Sequence, residues 1–211
     1  MGIDLPRGRV TDALVAFMLF AWVLTTFAFG LVTSATFAAF VPAEISSGGW
    51  VNNPLLTALS PLASQFVQPD LLSALFNTLF LLIAGCFVER ALGPWGLIAI
   101  FALGAYGGAL ARLALTWASS VPGIGSAPAV FAIIGAYLAL YGVPRSLPIA
   151  HDQPRMVQIS ILAAIWFAIQ IAFVLIAGDF EFSQSIVAPL GGFATGALLA
   201  QPLLRWRYRR A

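Results

Sequence analysis

Six long apolar stretches, separated by short segments rich in polar and helix-breaking residues, set the pattern of the chain. They lie near residues 12–40, 70–90, 95–118, 124–143, 157–177 and 185–204. A helix needs about 20 apolar residues to cross the hydrocarbon core of a membrane, and the stretches are of that order. Pro94, Pro122, Pro154 and Gly178 fall between stretches, where such residues commonly end helices. The pattern predicts six transmembrane helices, the first to the sixth predicted span in chain order.

The longest connection, residues 41–69, is semi-polar and follows the first predicted span. It combines Ser, Asn, Gly and Pro with the apolar clusters LLTAL and PLASQFV. A structureless loop of this length is uncommon in a compact domain, and Trp is typical of membrane interfaces. We expect a partly ordered loop in the outer interface, with Trp50 as an anchor.

Composition assigns this pattern to a membrane protein. Hydrophobic residues make up 61% of the 211 residues, charged residues 9%, and the mean hydropathy is +0.96. A soluble domain carries roughly 25% charged residues, so most of this surface must face lipid. The one cysteine, Cys86, excludes an intrachain disulfide. We predict an all-α, multi-pass integral membrane protein in which residues 1–211 form a single domain.

Arginine supplies all ten basic residues, and their placement predicts the orientation. With the N-terminus in the cytoplasm, every arginine except Arg112 lies on the cytoplasmic side. Arg112 is expected to snorkel from the outer part of the third predicted span. Four acidic residues fall on the outer side: Glu44, Asp70, Asp179 and Glu181. Because positive charge concentrates inside, both termini are predicted to be cytoplasmic, in a bacterial inner (cytoplasmic) membrane.

The C-terminal segment LLRWRYRRA carries four arginines beside two aromatic residues. They are Arg205, Arg207, Arg209 and Arg210. Each basic residue near anionic lipid gains about 1 kcal/mol. We expect this segment to contact membrane lipids, with docking on a partner protein as the alternative. Nothing in the chain indicates a folded soluble module, so nucleic acid is not an expected partner.

Glycines recur at helical spacing in the third and sixth predicted spans. They are Gly104 and Gly108 in LGAYGGALA, and Gly192 and Gly196 in PLGGFATG. Glycines four residues apart let two helix backbones approach closely in lipid. We expect them to pack helices within the fold, and docking of a partner helix is the alternative.

Three segments match the motifs of a known family in order and spacing. In the second predicted span, LLSALFNTLFLLIAGCFVERALGP is similar to HLLFNMLFLxxxGxxVERxLG. In the fourth, GIGSAPAVFAIIGAYL is similar to GxSGAIFGLLGAYL, and in the sixth, IVAPLGGFATGALL is similar to AHLGGFLAGLLL. Together they resemble the rhomboid family of intramembrane serine proteases and their inactive relatives. The resemblance covers about residues 55–203 and implies a six-transmembrane-helix rhomboid-like bundle.

At the family's catalytic positions, the resemblance implies a departure. Ala127, eight residues before Gly135, stands where the nucleophilic serine belongs. Pro189 stands where the general-base histidine precedes LGGF. Ser73 replaces a histidine that donates to the oxyanion, whereas Asn77 matches the asparagine that helps to stabilise it. One of the four polar groups remains, so the resemblance implies an inactive member, a pseudoprotease.

Ser126, one residue before Ala127, is the alternative nucleophile. A serine needs a base within hydrogen-bond reach, usually His and sometimes Lys. The chain has no Lys, and its one histidine, His151, lies in the predicted cytoplasmic connection between the fourth and fifth spans. Roughly 20–30 Å of membrane is expected to separate it from the predicted centre near the outer face. We therefore expect Ser126 to be a helix N-cap whose hydroxyl accepts a backbone N–H.

Two further polar groups in the second predicted span need partners. Asn77 is expected to bond the fourth span or the 41–69 connection, with oxyanion binding as the alternative. Glu89 and Arg90 are expected to pair locally at the cytoplasmic interface. His151 lies beside Asp152 without further ligand-type residues, so neither a metal nor a cofactor is expected.

These predictions lead to two functional hypotheses. The first is a catalytically inactive rhomboid-like membrane protein that binds transmembrane helices of partners. It would act as an accessory or structural subunit of a membrane complex, or as a chaperone-like factor. The alternative is an active rhomboid intramembrane serine endopeptidase that uses Ser126. A transporter or channel is disfavoured because ion pathways usually need ionisable groups within the spans, where only Arg112 qualifies.

Overall fold

The computed structural model describes residues 8–142 and 180–209, with a few positions between 154 and 164. These residues contain no β-strand and form seven α-helices: α1 (Arg9–Val23), α2 (Leu31–Ala38), α3 (Pro42–Ser46), α4 (Pro54–Ala63), α5 (Leu71–Leu115), α6 (Ala127–Tyr141) and α7 (Phe180–Arg207). A π-helix continues α1, and two short 3₁₀ helices flank α4: Leu24–Ala28, Gly49–Val51 and Ser64–Phe66. The fifth predicted span, 157–177, lies almost entirely outside the described residues.

The first predicted span, 12–40, is divided rather than continuous. The π-helix ends α1, and Gly30 separates it from α2 with a φ of 79°. Only glycine adopts such a backbone conformation without strain. The Ser34 hydroxyl donates to the Thr25 carbonyl at 3.2 Å across the break. Hydropathy alone did not reveal this division, because both halves are apolar.

α5 contains two helical halves that fold back on each other. Its 45 residues would extend about 68 Å if straight. Instead, Ser73 near its start and Arg112 near its end line the same cavity. The reversal occurs at Gly93, whose φ of 80° and ψ of 173° leave the helical region, with Pro94 directly after it. The second and third predicted spans are therefore the two halves of α5.

Three helices of the described residues are long and apolar enough to cross a membrane. Their bounds are Arg9–Ala28, Leu71–Leu115 and Ile186–Arg207. α6 is apolar as well, although it has only 15 residues. Large apolar side chains on the outside of these helices are exposed, among them Phe27, Leu110 and Leu198. Such an exterior suits lipid as the solvent.

The core lies where α5, α6 and α7 cross. Fully buried side chains fill it, including Leu81, Leu97, Ile100, Val130 and Ile133. Glycines bring the backbones together: a Cβ on Gly104 would collide with Ala132, and one on Gly108 would lie 2.6 Å from the Pro128 Cβ. On α7, a Cβ on Gly192 would collide with the Pro128 carbonyl, and one on Gly196 with that of Ala132. In lipid, this close packing takes the place of hydrophobic burial.

Glu89 anchors α1 to the C-terminal end of the first half of α5. Its carboxylate accepts from the backbone N–H groups of Val10, at 3.1 Å, and Thr11, at 2.8 Å, and from the Thr11 hydroxyl at 2.7 Å. The prediction that Glu89 pairs locally with Arg90 is therefore wrong. The first N–H groups of a helix have no partner within the helix and carry partial positive charge, so a carboxylate satisfies them better.

Candidate functional site

A cavity of about 850 Å³ lies beside the N-terminus of α6, between both halves of α5, the start of α7 and the 41–69 connection. Its polar side chains are Ser64, Gln65, Gln68, Asp70, Ser73, Asn77 and Arg112. Its apolar wall includes Leu72, Phe76, Ala105, Ala109 and Phe131. The cavity thus combines several polar side chains with a largely apolar wall, as ligand sites commonly do.

Four positions selected from the sequence lie on this wall. They are Ala127 at the start of α6, Pro189 in α7, and Ser73 and Asn77 in α5. The helix crossings bring them together because the cavity sits at one end of the glycine-lined contact between the helices. Neither a methyl group nor a proline ring carries a nucleophile or a proton acceptor. Two of the four positions therefore offer no acid–base chemistry.

Ser126 does not belong to the cavity wall. It is fully buried, and its hydroxyl accepts a hydrogen bond from the Gln68 Nε2 at 2.7 Å. Ser126 does stand at the N-cap of α6, but its side chain makes no capping bond. The prediction that this hydroxyl accepts from a backbone N–H is therefore wrong. An N-cap side chain reaches the N–H groups of the first helical turn when its own backbone is extended. Ser126, with φ −84° and ψ 3°, is not extended.

Two buried glutamines of the 41–69 connection organise the polar side of the site. Gln68 donates to the Gln65 carbonyl at 3.1 Å as well as to Ser126, and its Oε1 accepts from the Asn77 Nδ2 at 3.2 Å. Gln65 donates to the Pro61 carbonyl at 2.8 Å and accepts from the backbone N–H of Ala129. Sequence reasoning missed both. The signal in the sequence was the presence of these two glutamines so close together between apolar residues, because amides buried in a membrane protein require partners.

Asn77 and Ser73 are both engaged by side chains close to them in sequence. Asn77 donates to Gln68, which lies in the 41–69 connection named as one of its two expected partners. Ser73 donates through its backbone N–H and its hydroxyl to the Asp70 carboxylate, at 2.7 and 2.8 Å. Asp70 is the N-cap of α5, so Ser73 contributes to the start of that helix.

Arg112 lies on the cavity wall and is 5% exposed, so the prediction that it snorkels to lipid is wrong. Its Nη2 donates to the Val121 carbonyl at 2.9 Å, and its Nε has no partner among the described residues. The segment 121–125 covers the guanidinium, and a Cβ on Gly123 would collide with Nη1. Gly123 is held by two backbone hydrogen bonds with Phe40, at 2.8 and 3.0 Å. Snorkelling failed because this covering segment closes the route to the interface.

The C-terminal arginines lie at the opposite end of α7, away from the cavity. Arg205, Arg207 and Arg209 are exposed, and Arg210 lies outside the described residues. The Arg207 Nη1 donates to the Arg90 carbonyl at 3.1 Å, and its guanidinium lies 5.4 Å from the Tyr208 ring centroid. Arg207 is thus partly used within the fold, whereas Arg205 and Arg209 are exposed.

Three further titratable residues fall outside what the structure describes. His151 and Asp179 lie beyond the described residues, and the side chain of Glu181 is not described. Among the residues that are described, no group of three His, Cys, Asp or Glu side chains is placed to hold a metal ion.

Comparison with known proteins gives one match. The family model of the Rhomboid domain matches residues 57–206, from within α4 to the end of α7, and includes every helix that lines the cavity. None of the curated proteins matches the chain.

Proposed function

The chain belongs to the rhomboid family and is an integral, multi-pass membrane protein, and on that premise we propose that it is a catalytically inactive member that binds transmembrane helices of partner proteins. It acts as an accessory or structural subunit of a membrane complex, or as a chaperone-like factor. In this proposal it has six transmembrane helices with both termini in the cytoplasm of a bacterium.

The observation that carries the inactive assignment is the chemistry of the cavity wall. The motif resemblance assigns Ala127 and Pro189 to the positions that the family uses for nucleophile and base, and both residues line the cavity. Loss of a nucleophile or its base lowers the rate of a serine hydrolase by a factor on the order of 10⁶. Of the other polar groups on the wall, Asn77 and Gln68 are amides that accept no proton at neutral pH. The one carboxylate on the described wall, that of Asp70, accepts from the backbone N–H and the hydroxyl of Ser73.

The alternative, an active endopeptidase using Ser126, is supported less well. A nucleophilic serine must reach substrate and donate its proton to a base. The Ser126 hydroxyl is fully buried, and the group beside it, the Gln68 Nε2, is itself a donor. Activation of Ser126 would need a base from outside the described residues and a displacement of Gln68.

The position of Leu72 and Phe76 supports the helix-binding role. Both line the cavity yet are 64% and 52% exposed, so this part of the wall is continuous with the outer surface of α5. A transmembrane segment reaches such a surface by diffusion within the bilayer. Without the catalytic pair, the same access leads to binding without cleavage.

A fluorophosphonate probe tests the inactive assignment. Purified protein in detergent should show no labelling above background, equally in wild type and Ser126→Ala, with an active serine hydrolase as the positive control. Labelling of the wild type that disappears in Ser126→Ala would establish the endopeptidase instead.

Helix binding is tested with a fluorescent Leu/Ala transmembrane peptide and labelled protein in phosphatidylcholine nanodiscs. We expect saturable energy transfer with the wild type and at least 10-fold weaker association with Ala109→Phe, which fills the cavity. Leu198→Phe is the matched control, because Leu198 is 69% exposed on α7 and does not line the cavity. Absence of saturable transfer, or equal binding by both variants, would overturn the helix-binding role.

A further inference from the structure

The cavity wall carries a positively charged side chain, Arg112, whose donors are incompletely paired. Among the described residues Arg112 is the one basic side chain on the wall, and it is 5% exposed. Among the described residues its single acceptor is the Val121 carbonyl, which leaves the Nε without a partner. A guanidinium has five donors and no acceptor, and a buried cation within a membrane protein is costly unless it is paired.

Carboxylates of the described residues form no bond to this guanidinium. Asp70 also lines the cavity, but its two oxygens accept from the backbone N–H and the hydroxyl of Ser73. A guanidinium without a bonded carboxylate and open volume therefore occur in the same cavity.

The shape around Arg112 favours an anion at the end of a side chain. The guanidinium lies beneath the segment 121–125, and 5% of Arg112 is exposed. Diacyl lipid would have to bring its glycerol and both acyl chains to the same depth. A carboxylate on a flexible side chain reaches that depth from a helix that packs beside Leu72 and Phe76, which line the same cavity.

We propose that Arg112 binds an acidic side chain of the transmembrane segment that occupies the cavity. This inference rests on the proposed helix-binding function and names the chemistry that this function selects. Arginine and carboxylate form the strong, charge-assisted type of hydrogen bond. Burial against the apolar wall strengthens the bond, because the surroundings have a low dielectric constant. The preferred partner is a transmembrane helix with a Glu or Asp near its outer end.

The anion site is tested first without any peptide. Ala127→Cys, in a Cys86→Ala background, places a thiol on the cavity wall. We then compare alkylation of this thiol by iodoacetate, which carries a carboxylate, with alkylation by its neutral analogue iodoacetamide. The ratio of the two rates should fall at least 10-fold in Arg112→Gln and be retained in Arg112→Lys. An unchanged iodoacetamide rate shows that the cavity remains folded in each variant.

Three results of this alkylation experiment would overturn the proposal. A ratio that does not change in Arg112→Gln would mean that the guanidinium binds no carboxylate. A thiol that reacts with neither reagent would mean that the cavity admits no such group. A ratio that is low in the wild type and rises 10-fold in Asp179→Asn/Glu181→Gln would mean that this chain supplies its own counterion.

Two transmembrane peptides then test whether a helix supplies the carboxylate. They are identical except that one carries Glu and the other Gln at the same position near the outer end. In phosphatidylcholine nanodiscs at pH 8, the Glu peptide should bind the wild type at least 10-fold more tightly, and both should bind Arg112→Gln equally. Equal binding to the wild type overturns the inference. Loss of the Glu advantage when phosphatidylglycerol is added assigns Arg112 to lipid phosphate, which also overturns it. If neither peptide binds while the alkylation ratio still depends on Arg112, helix binding has failed but the anion site has not.

Discussion

Gln68 contacts three polar groups with one side chain, and these contacts determine the environment of Ser126 and Asn77. It is 1% exposed, and its partners are the Ser126 hydroxyl, the Gln65 carbonyl and the Asn77 amide. The residue that resembles a nucleophile is in this way part of a structural network. Buried polar networks of this kind are costly to leave partly satisfied.

Removal of the Gln68 amide tests that network. We expect Gln68→Ala to lower the free energy of unfolding by about 1–3 kcal/mol, because it leaves buried polar groups without partners. In a double-mutant cycle with Ser126→Ala, the two effects should be less than additive, since Ser126→Ala removes one of those groups. The measurement is unfolding in mixed micelles by SDS titration.

The control for Gln68→Ala is Thr36→Ala, which removes an exposed hydroxyl bonded to the Val32 carbonyl within α2. It should change stability by less than about 0.5 kcal/mol. Equal effects of Gln68→Ala and Thr36→Ala, or strict additivity with Ser126→Ala, would contradict the structural role of the network.

Helix crossings in the core depend on positions where only a hydrogen atom fits. A Cβ on Gly192 would collide with the Pro128 carbonyl, and one on Gly196 with the Ala132 carbonyl. Both obstacles are backbone atoms of α6, so no rotamer change relieves them. The same contact carries Ala127 and Pro189 to the cavity, which links helix packing directly to the shape of the site.

A methyl group at this contact should separate the helices. Gly192→Ala is expected to destabilise the protein by about 1–3 kcal/mol through overpacking. Ala194→Val serves as its matched control, because Ala194 faces outward on the same helix and is exposed. Thermal unfolding followed by circular dichroism in detergent gives the comparison. If Ala194→Val were as destabilising as Gly192→Ala, close backbone approach would not be the cause.

At the scale of the molecule, α5, α6, α7 and the 41–69 connection all contribute to the cavity. Ala127 and Pro189 on its wall carry neither a hydroxyl nor an imidazole, and the resemblance assigns the nucleophile and the base to these two positions. The proposed binding without cleavage rests on this combination. Leu72 and Phe76 extend the wall to the exposed surface of α5, which agrees with an occupant that arrives within the bilayer.

Introducing a hydroxyl at Ala127 and an imidazole at Pro189 tests whether these are the positions of the nucleophile and the base. Ala127→Ser/Pro189→His should gain fluorophosphonate labelling at least 10-fold above either single variant, since a hydroxyl and an imidazole act as a unit. Circular dichroism checks that the double variant remains helical. A folded double variant with no more labelling than Ala127→Ser alone would show that the two positions do not face each other.

Several features of the fold were predictable from local sequence. Long apolar stretches required helices in lipid, and Pro94 marked the connection where α5 reverses, one residue after Gly93. Ser126 at the start of α6 was predicted as well, although not its bonding partner. The first predicted span was harder, because a break at Gly30 between two apolar segments leaves hydropathy almost unchanged.

Hydropathy and residue chemistry are properties of each position, so the chain alone specified its membrane environment, its apolar helices and the side chains of Ala127 and Pro189, on which the proposed inactivity rests. Pairing between distant residues depends on how the helices cross. Gln68 and Ser126 are 58 residues apart and Glu89 and Thr11 are 78 apart, and neither pair leaves a local signature. Arg112 shows the same limit. An arginine near a helix end snorkels unless another segment covers it, and the segment 121–125 covers it only because Phe40 holds Gly123 in place.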